Sequence, residues 1–300
     1  MSDPGREIDL PDGGPGIDPR IPGGDRGSRI VAPLRAEGAR GVAIAVVSTV
    51  VFLTLIALAV VNSTGWPLIK EAFFDGEIFA DAFPKILEKF RRNVFIFMVA
   101  EVLVLVVAMA VAVLRSLSGP VFFPLRLMAA AYTDLFRAVP TILVIALLGF
   151  GAPALQIKGL PDSDVFWAIV ALTLVYSAYV AEVYRAGIES VHPSQVASAR
   201  SLGLSRRKTL RFVVLPQAVR RVIPPLLNDF IGLQKDSALV AFLGYVEALR
   251  QAQIIQSETF DFTPYVALAL VYVVITIPQA RFVDWLVERD RRRRQATVGV

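Results

Sequence analysis

Long apolar stretches alternate along the chain with shorter segments rich in charge, glycine and proline. Each stretch holds about 20 residues, the length that an α-helix rising 1.5 Å per residue needs to cross a hydrocarbon layer of about 30 Å. The pattern therefore predicts an all-α polytopic membrane protein with six transmembrane helices. The predicted spans cover residues 41–61, 94–114, 129–150, 165–186, 222–245 and 264–282.

Basic residues set the expected orientation of these spans. Lys and Arg concentrate before the first span, around residues 115–126, in the loop after the fourth span and after the last one. Since basic residues accumulate on the cytoplasmic side of a membrane, both termini are expected in the cytoplasm. The basic residues between 85 and 92 run against this bias.

Three further segments are predicted outside the spans. Residues 1–40 are rich in Gly, Pro and Asp and hold too little apolar surface to fold, so a disordered cytoplasmic tail is expected. Residues 62–92 mix aromatic and charged side chains, which is typical of an amphipathic segment lying at the extracytoplasmic membrane surface. Residues 287–300 are expected to form a basic cytoplasmic tail.

The basic loop at residues 187–221 contains residues that typically start and end helices. Pro193 and Ser194 mark a helix start, and Gly203 with Ser205 marks its end. A second short helix is predicted from Arg206 to about Pro216. A compact helix-turn-helix of this length exceeds what a plain connection needs, which indicates a binding partner.

Several motifs of this region occur together in a known order. The stretch 195–203 is followed by LPQA at 215–218, it is preceded by YVAEVYRAGI at 179–188, and it is followed by Asn228 and LQKDSAL at 233–239. Together they resemble the cytoplasmic coupling loop, or EAA loop, of ABC importer permeases and its surroundings in the polar amino acid uptake branch. Several motifs at consistent spacing are far more specific than one short match.

The resemblance implies a five-helix permease core, here residues 93–286, with the helix at 41–61 added before it. It implies a transport subunit and not an enzyme: the permease forms the path for a polar amino acid, glutamate- or glutamine-like or another. Implied partners are a separate ABC ATPase dimer, a second permease subunit, identical or homologous, and an extracytoplasmic solute-binding protein. The implied location is a bacterial cell membrane. ATP would bind to the partner, so no cofactor is expected on this chain.

The resemblance also assigns residues to the coupling loop, with one departure. The family usually places a Glu and two Ala in the first loop helix, whereas alignment on Gln195 and Gly203 puts Ala, Ser and Ala there. The usual acidic contact is therefore missing and a small-residue packing face remains. The implied coupling residues are Gln195, Ala197, Ser198, Ala199, Gly203, Leu215 and Pro216.

Composition excludes several other classes of protein. The chain is 55% hydrophobic with a mean hydropathy of +0.59 and contains no cysteine and a single histidine, so thiolate or zinc sites are not expected. No phosphate-binding G-x-x-x-x-G-K-[ST] motif is present, so the chain is not its own ATPase. The net charge of +5 is explained by membrane flanks, which argues against nucleic acid as a partner.

Polar residues inside the predicted spans are the candidates for a solute path. They are Glu101, Asn228, Asp229, Lys235 and Asp236. Four of them lie in the fifth span with two prolines, so a broken helix enclosed by protein is expected there. For Glu101, packing through interhelical hydrogen bonds is an equal alternative. The charges of the fifth span also have an alternative role, which is to neutralise one another inside the bundle.

A second class of transporter stays open from these residues. In a proton-coupled secondary transporter of small polar solutes, Glu101, Asp229 and Asp236 would relay protons. Inverted repeats with broken helices in both halves would favour that class. The polarity is instead concentrated in the fifth span, with no counterpart in the first half of the chain.

Overall fold

The computed structural model of the protein describes residues 38–117 and 119–298. Within these ranges the chain forms eleven α-helices, two 3-10 segments and one π segment, and no β-strand. The α-helices are α1 (Gly38–Val61), α2 (Trp66–Phe73), α3 (Gly76–Ser116), α4 (Phe123–Ala138), α5 (Thr141–Ala154), α6 (Asp164–Glu189), α7 (Pro193–Ser201), α8 (Arg206–Thr209), α9 (Leu215–Asp236), α10 (Ala248–Thr259) and α11 (Thr263–Val298). The all-α prediction is confirmed.

Both predicted tails differ from the described structure or lie outside it. The proposed disordered tail at 1–40 falls outside the described residues except for its last three, which begin α1. The predicted basic tail at 287–300 is, as far as residue 298, the end of helix α11. A long helix can extend beyond the membrane because Arg-rich sequence keeps good helix propensity.

The chain divides into two compact units, residues 1–66 and 67–300. In the first unit, α1 is apolar all round, with Ser48 and Thr49 donating their hydroxyls back to the Ala45 carbonyl. Such internal pairing lets a helix place hydroxyls in lipid. The second unit contains the helix bundle.

Helix α3 is the longest straight element of the bundle and corrects one predicted boundary. It runs for 41 residues, about 60 Å, through the position near residue 92 where an interfacial segment was expected to give way to a span. Asp75 caps its start by accepting from the backbone N–H groups of Glu77 and Ile78. Its buried residues recur every three or four positions, so one stripe faces the bundle along its whole length. They are Ala82, Ile86, Phe90, Asn93, Ile96, Phe97, Ala100, Val104, Ala108 and Val111.

Two apolar clusters lie along this stripe. The C-terminal half of α3 packs with α4, α5, α6 and α9, where alanines at both sides of the α3–α6 contact let the backbones approach closely. Those alanines include Ala100, Ala108, Ala168 and Ala171. The N-terminal half, from Ala82 to Phe90, packs instead on α10 and α11. Helix α3 therefore joins the two ends of the bundle.

The third predicted span is broken. Helices α4 and α5 meet at Val139–Pro140 with a bend of 104°. A residue before proline is driven out of helical geometry, and Val139 adopts the extended φ −91° and ψ 129°. The expectation of one continuous helix over 129–150 was therefore wrong because Pro140 ends the first segment.

The fifth predicted span is also different from the expectation. Helix α9 continues through Pro224 and Pro225 as far as Asp236 and passes into a 3-10 segment, Ser237–Leu243. The break thus lies after the charged residues and not among them. Helix α10 follows this segment, and the Glu247 side chain caps its start.

The number of helices that could span a membrane is compatible with the six predicted spans. Among the described residues, four helices are long and apolar enough to cross a membrane, and two bent pairs raise the number to six if each pair is one span. The four are 41–61, 66–116, 164–189 and 263–290, and the pairs centre on Pro140 and on the 243–248 turn.

The closest helix contact yields a stability prediction. A methyl group at Gly187 would lie 2.0 Å from Val222 Cγ2 and 3.4 Å from the Ala218 carbonyl oxygen, so α6 and α9 touch there. We expect Gly187→Ala to lower the free energy of unfolding in detergent by about 1–3 kcal/mol, because the packed core must move apart. Gly151→Ala, which meets nothing within 4 Å, is the matched control. Adding Val222→Ala to Gly187→Ala should restore most of the loss, and its failure to do so would contradict this contact.

Candidate functional site

The basic loop after α6 begins with a capped helix. His192 precedes α7, and its Nδ1 accepts from the backbone N–H of Ser194 at 3.2 Å and lies 2.7 Å from the Ser194 hydroxyl. Pro193 occupies the first turn, where its missing N–H is not needed. The predicted helix start is confirmed, and His192 is its cap.

Helix α7 ends at the predicted glycine. The Gly203 N–H donates to the Arg200 carbonyl at 2.9 Å, and the Leu204 N–H donates to the Ala199 carbonyl at 3.2 Å. This pair of bonds is the Schellman arrangement, which requires a left-handed residue at Gly203, where φ is 81°. Gly203 adopts that conformation without the steric penalty of a side chain.

The small residues of α7 do not all lie on its exposed side. Gln195, Ala197 and Ser198 are exposed, whereas Ala199 is only 6% exposed and packs inside the loop. Leu202, at the tip, is 83% exposed. A partner would therefore meet the exposed positions, and Ala199 differs from the expectation that it faces outward.

The second half of the loop has no separate helix ending at Pro216. Helix α8 leads through the π segment Leu210–Val214 directly into α9. Leu215 and Pro216 form the first turn of α9, where proline is tolerated. The predicted stop at Pro216 was wrong because a proline in a first turn begins a helix.

Polar contacts fasten the base of the loop to the bundle. The guanidinium of Arg221, on α9, donates to the Ser190 carbonyl at the end of α6. About two turns deeper, Glu182 pairs with Arg115 of α3 at 2.9 Å and with Arg185, and Arg115 also donates to Thr133 of α4 at 3.1 Å. The loop therefore projects from a base that four helices hold together.

The acidic residues of α9 form an inward stripe. Asp229, Gly232 and Asp236 share one helix face by their spacing, and this face meets Tyr176 of α6. The Tyr176 hydroxyl donates to Asp236 Oδ2 at 2.9 Å and lies 3.2 Å from where a Cβ of Gly232 would stand. Gly232 thus provides the room in which Tyr176 reaches Asp236.

Glu101 of α3 joins this stripe, and the remaining candidates do not. The carboxyl groups of Glu101 and Asp229 are close enough to interact electrostatically, and both residues are half-buried. Asn228 and Lys235 are exposed, two turns apart on another face of α9. No ion pair within the described part of the chain joins Lys235 to Asp229 or Asp236, so mutual neutralisation of these charges is not observed.

Among the buried polar groups of α9 and α11, Asp229 was a candidate from the sequence and the others were missed. Within the described residues, Asp229 Oδ2 and Gln234 Oε1 on α9, and Thr276 Oγ1 and Gln279 Oε1 on α11, are buried without a hydrogen-bond partner. An unpaired buried polar atom is costly unless water or a ligand reaches it. The glutamine in the otherwise apolar run of the last span was the signal that could have indicated this.

A fully paired network at the other end of the stripe was also missed. Glu247, which is fully buried, accepts from the Asn93 side chain at 2.7 Å and from the N–H groups of Leu249 and Arg250 at 2.9 Å each. Asn93 in turn accepts from the Ala248 N–H at 3.1 Å. This network fixes the turn before α10 onto α3.

The chain matches the family model described as a binding-protein-dependent transport system inner membrane component over residues 116–292. This covers the broken helix pair, the capped loop and the part of the polar stripe that lies on α9. The chain belongs to this family of ABC importer permeases. The resemblance inferred from the loop motifs is confirmed, and the chain is an integral membrane transport subunit.

Individual permeases show the same relationship. The probable glutamine ABC transporter permease protein GlnM of Bacillus subtilis is 35% identical over 71% of this chain and 96% of its own length. The arginine transport system permease protein ArtQ of the same organism is 32% identical over 65% and 87%. The crystal structure of an amino acid ABC transporter with histidines aligns with a TM-score of 0.65 at 30% identity, over 72% of this chain and 98% of that one.

The hydroxyl of Tyr176 is the testable part of the polar stripe. We expect Tyr176→Phe to lower the free energy of unfolding by about 1–3 kcal/mol, because Asp236 loses its donor in a half-buried position. Tyr179→Phe is the control on the same helix, since that hydroxyl makes a longer bond of 3.3 Å to the Arg137 carbonyl from an exposed position. Equal unfolding midpoints for the two variants would show that Tyr176 does not hold Asp236.

Proposed function

We propose that this chain is the permease subunit of an ATP-driven importer for polar amino acids in a bacterial cell membrane. Two copies, or one copy and a homologous chain, would form the path, and an extracytoplasmic binding protein would deliver the solute. A separate ATPase pair would bind and hydrolyse ATP. Relatives named as glutamine and arginine permeases support the substrate class.

The loop geometry is the observation that carries coupling to an ATPase. Helix α7 is capped at both ends, presents Gln195, Ala197, Ser198 and Leu202 to solvent, and rests on a base tied by Arg221 and Glu182. A short rigid helix with an exposed small-residue face suits a protein groove. A membrane-surface helix would instead carry large apolar side chains on its buried face.

The path is proposed along the acidic stripe and the α9–α11 seam. Glu101, Asp229 and Asp236 would present carboxyl oxygens, and Gln234 and Gln279 unpaired carbonyl oxygens, to the ammonium and amide groups of an amino acid. Asn228 and Lys235 are proposed to face a second permease or the path from the exposed side of α9. Because α9 continues from the loop without a break, a push on α7 would reach the stripe along one helix.

Energy would enter as a difference in affinity. An ATPase that binds the loop more tightly in one facing state than in the other shifts the permease between them. Two observations argue against the proton-coupled secondary transporter. Asp236 already accepts a hydrogen bond from Tyr176, and the chain belongs to a family of ABC permeases. Uptake that stops on collapse of the proton gradient at constant ATP would favour that alternative.

A substitution at the loop tip tests the coupling. We expect Gly203→Trp to abolish copurification of the ATPase and the stimulation of ATP hydrolysis by solute, because the indole strains a left-handed residue beside the docking face. Gly159→Trp is the matched control: it has φ of 94° and, like Gly203, open space around its Cβ position, but it lies in the loop between α5 and α6. Both proteins should insert and remain monodisperse. Full stimulation in Gly203→Trp would mean that this loop does not couple transport to ATP.

The proposed orientation is testable in the cysteine-free chain. Ser205 and Ser163 are a matched pair, because each is exposed and caps a helix with a 3.4 Å bond, to Lys208 and Phe166 respectively. In intact cells, an impermeant thiol reagent should label Ser163→Cys and should label Ser205→Cys only after permeabilisation. The reverse pattern would place the loop and both termini outside.

A further inference from the structure

A basic cleft lies between the start of α9 and the end of α11, away from the acidic stripe. Its volume is about 290 Å³, near the lower end for small-molecule sites, so it suits one small group rather than a whole lipid or peptide. Its lining combines charge with apolar surface. The lining residues are Arg220, Ile223, Pro224, Leu286, Arg289 and Asp290.

Within the described residues, the two arginines of the cleft make no ion pair with a carboxylate, unlike two other arginines of α11. In the part of the chain that the structure describes, Arg281 pairs with Asp284 and Arg292 with Glu288. Arg220 has no ion pair or hydrogen bond there, and Arg289 only stacks its guanidinium 5.1 Å from the Trp285 ring. Asp290, the carboxylate in the lining of the cleft, is itself engaged in an interaction. Two guanidinium groups with free donors are therefore placed at one cleft, a geometry that suits phosphate oxygens.

The depth of the cleft favours a lipid as the source of that phosphate. Starting from Thr263, about 20 residues of α11 cross a 30 Å hydrocarbon layer, which brings the chain to residue 282 or so. Leu286 and Arg289 follow by one to two turns, at the level of the headgroups. Trp285, between them and the apolar run, is the residue type enriched at that level.

We propose that this cleft binds the headgroup of an anionic phospholipid. The phosphate would lie between Arg220 and Arg289, and the upper parts of the acyl chains would lie against Leu286 and Ile223. Basic pockets between transmembrane helices hold lipid phosphates by this combination of charge and apolar contact. Since Arg220 is five residues after the start of α9, the lipid would fasten the loop end of α9 to α11.

Lipid binding is measured on the purified full-length permease. Native mass spectrometry and unfolding midpoints would be recorded with phosphatidylglycerol, with phosphatidylcholine and with inorganic phosphate. Wild type should retain phosphatidylglycerol and unfold at a higher temperature with it than with the other two. Affinity for phosphatidylglycerol should fall roughly 5-fold in Arg220→Gln or Arg289→Gln, and roughly 30-fold in the double variant.

Two controls separate charge in the cleft from charge elsewhere. Arg281→Gln removes a basic residue from the exposed side of the same helix and should leave the affinity unchanged. Arg220→Lys keeps the charge and should retain most of the binding, which also shows that the site is folded. Equal stabilisation by inorganic phosphate, or unchanged lipid affinity in the double variant, would overturn the proposal. Loss of ATPase association with unchanged lipid affinity would instead identify the cleft as a protein contact, and would overturn it as well.

Discussion

A polar group inside the bundle cannot form hydrogen bonds with water, and this constraint organises the molecule. Backbone groups satisfy it by forming helices throughout the described residues. Side chains satisfy it in pairs: Glu247 with Asn93 at one end, and Glu182 with Arg115 at the other. Where pairing stops, at Asp229, Gln234 and Gln279, the unmet hydrogen bonds mark the region that a polar solute would use.

The two ends of the bundle are held together by different kinds of polar contact. Near residue 247 the network is buried and every partner is a short neutral or backbone donor, which fixes α10 on α3. Near the loop the contacts are charged and half-exposed, as with Glu182 and Arg185, so solvent weakens them.

Helix α9 brings the main features together on one element. It begins as the continuation of the loop, carries Arg220 at the basic cleft, then presents the stripe from Asp229 to Asp236. It ends in a 3-10 segment whose Leu243 occupies the space above Gly149 of α5. The loop, the basic cleft, the polar residues and the broken span are therefore all in contact with one continuous element.

The sequence by itself determined the helical class, the two ends of α7 and the family, because hydropathy and capping act over a few neighbouring residues. Only the tertiary structure decided what depends on distant partners. The meaning of a proline is one case: Pro140 breaks a span, whereas Pro224 does not break α9. The environments of three polar or small residues are another. Packing against α6 pairs Asp236 with Tyr176 and leaves Lys235 exposed, and packing within the loop buries Ala199. The continuous helix past residue 92 likewise depends on packing against α10 and α11, which no local pattern encodes.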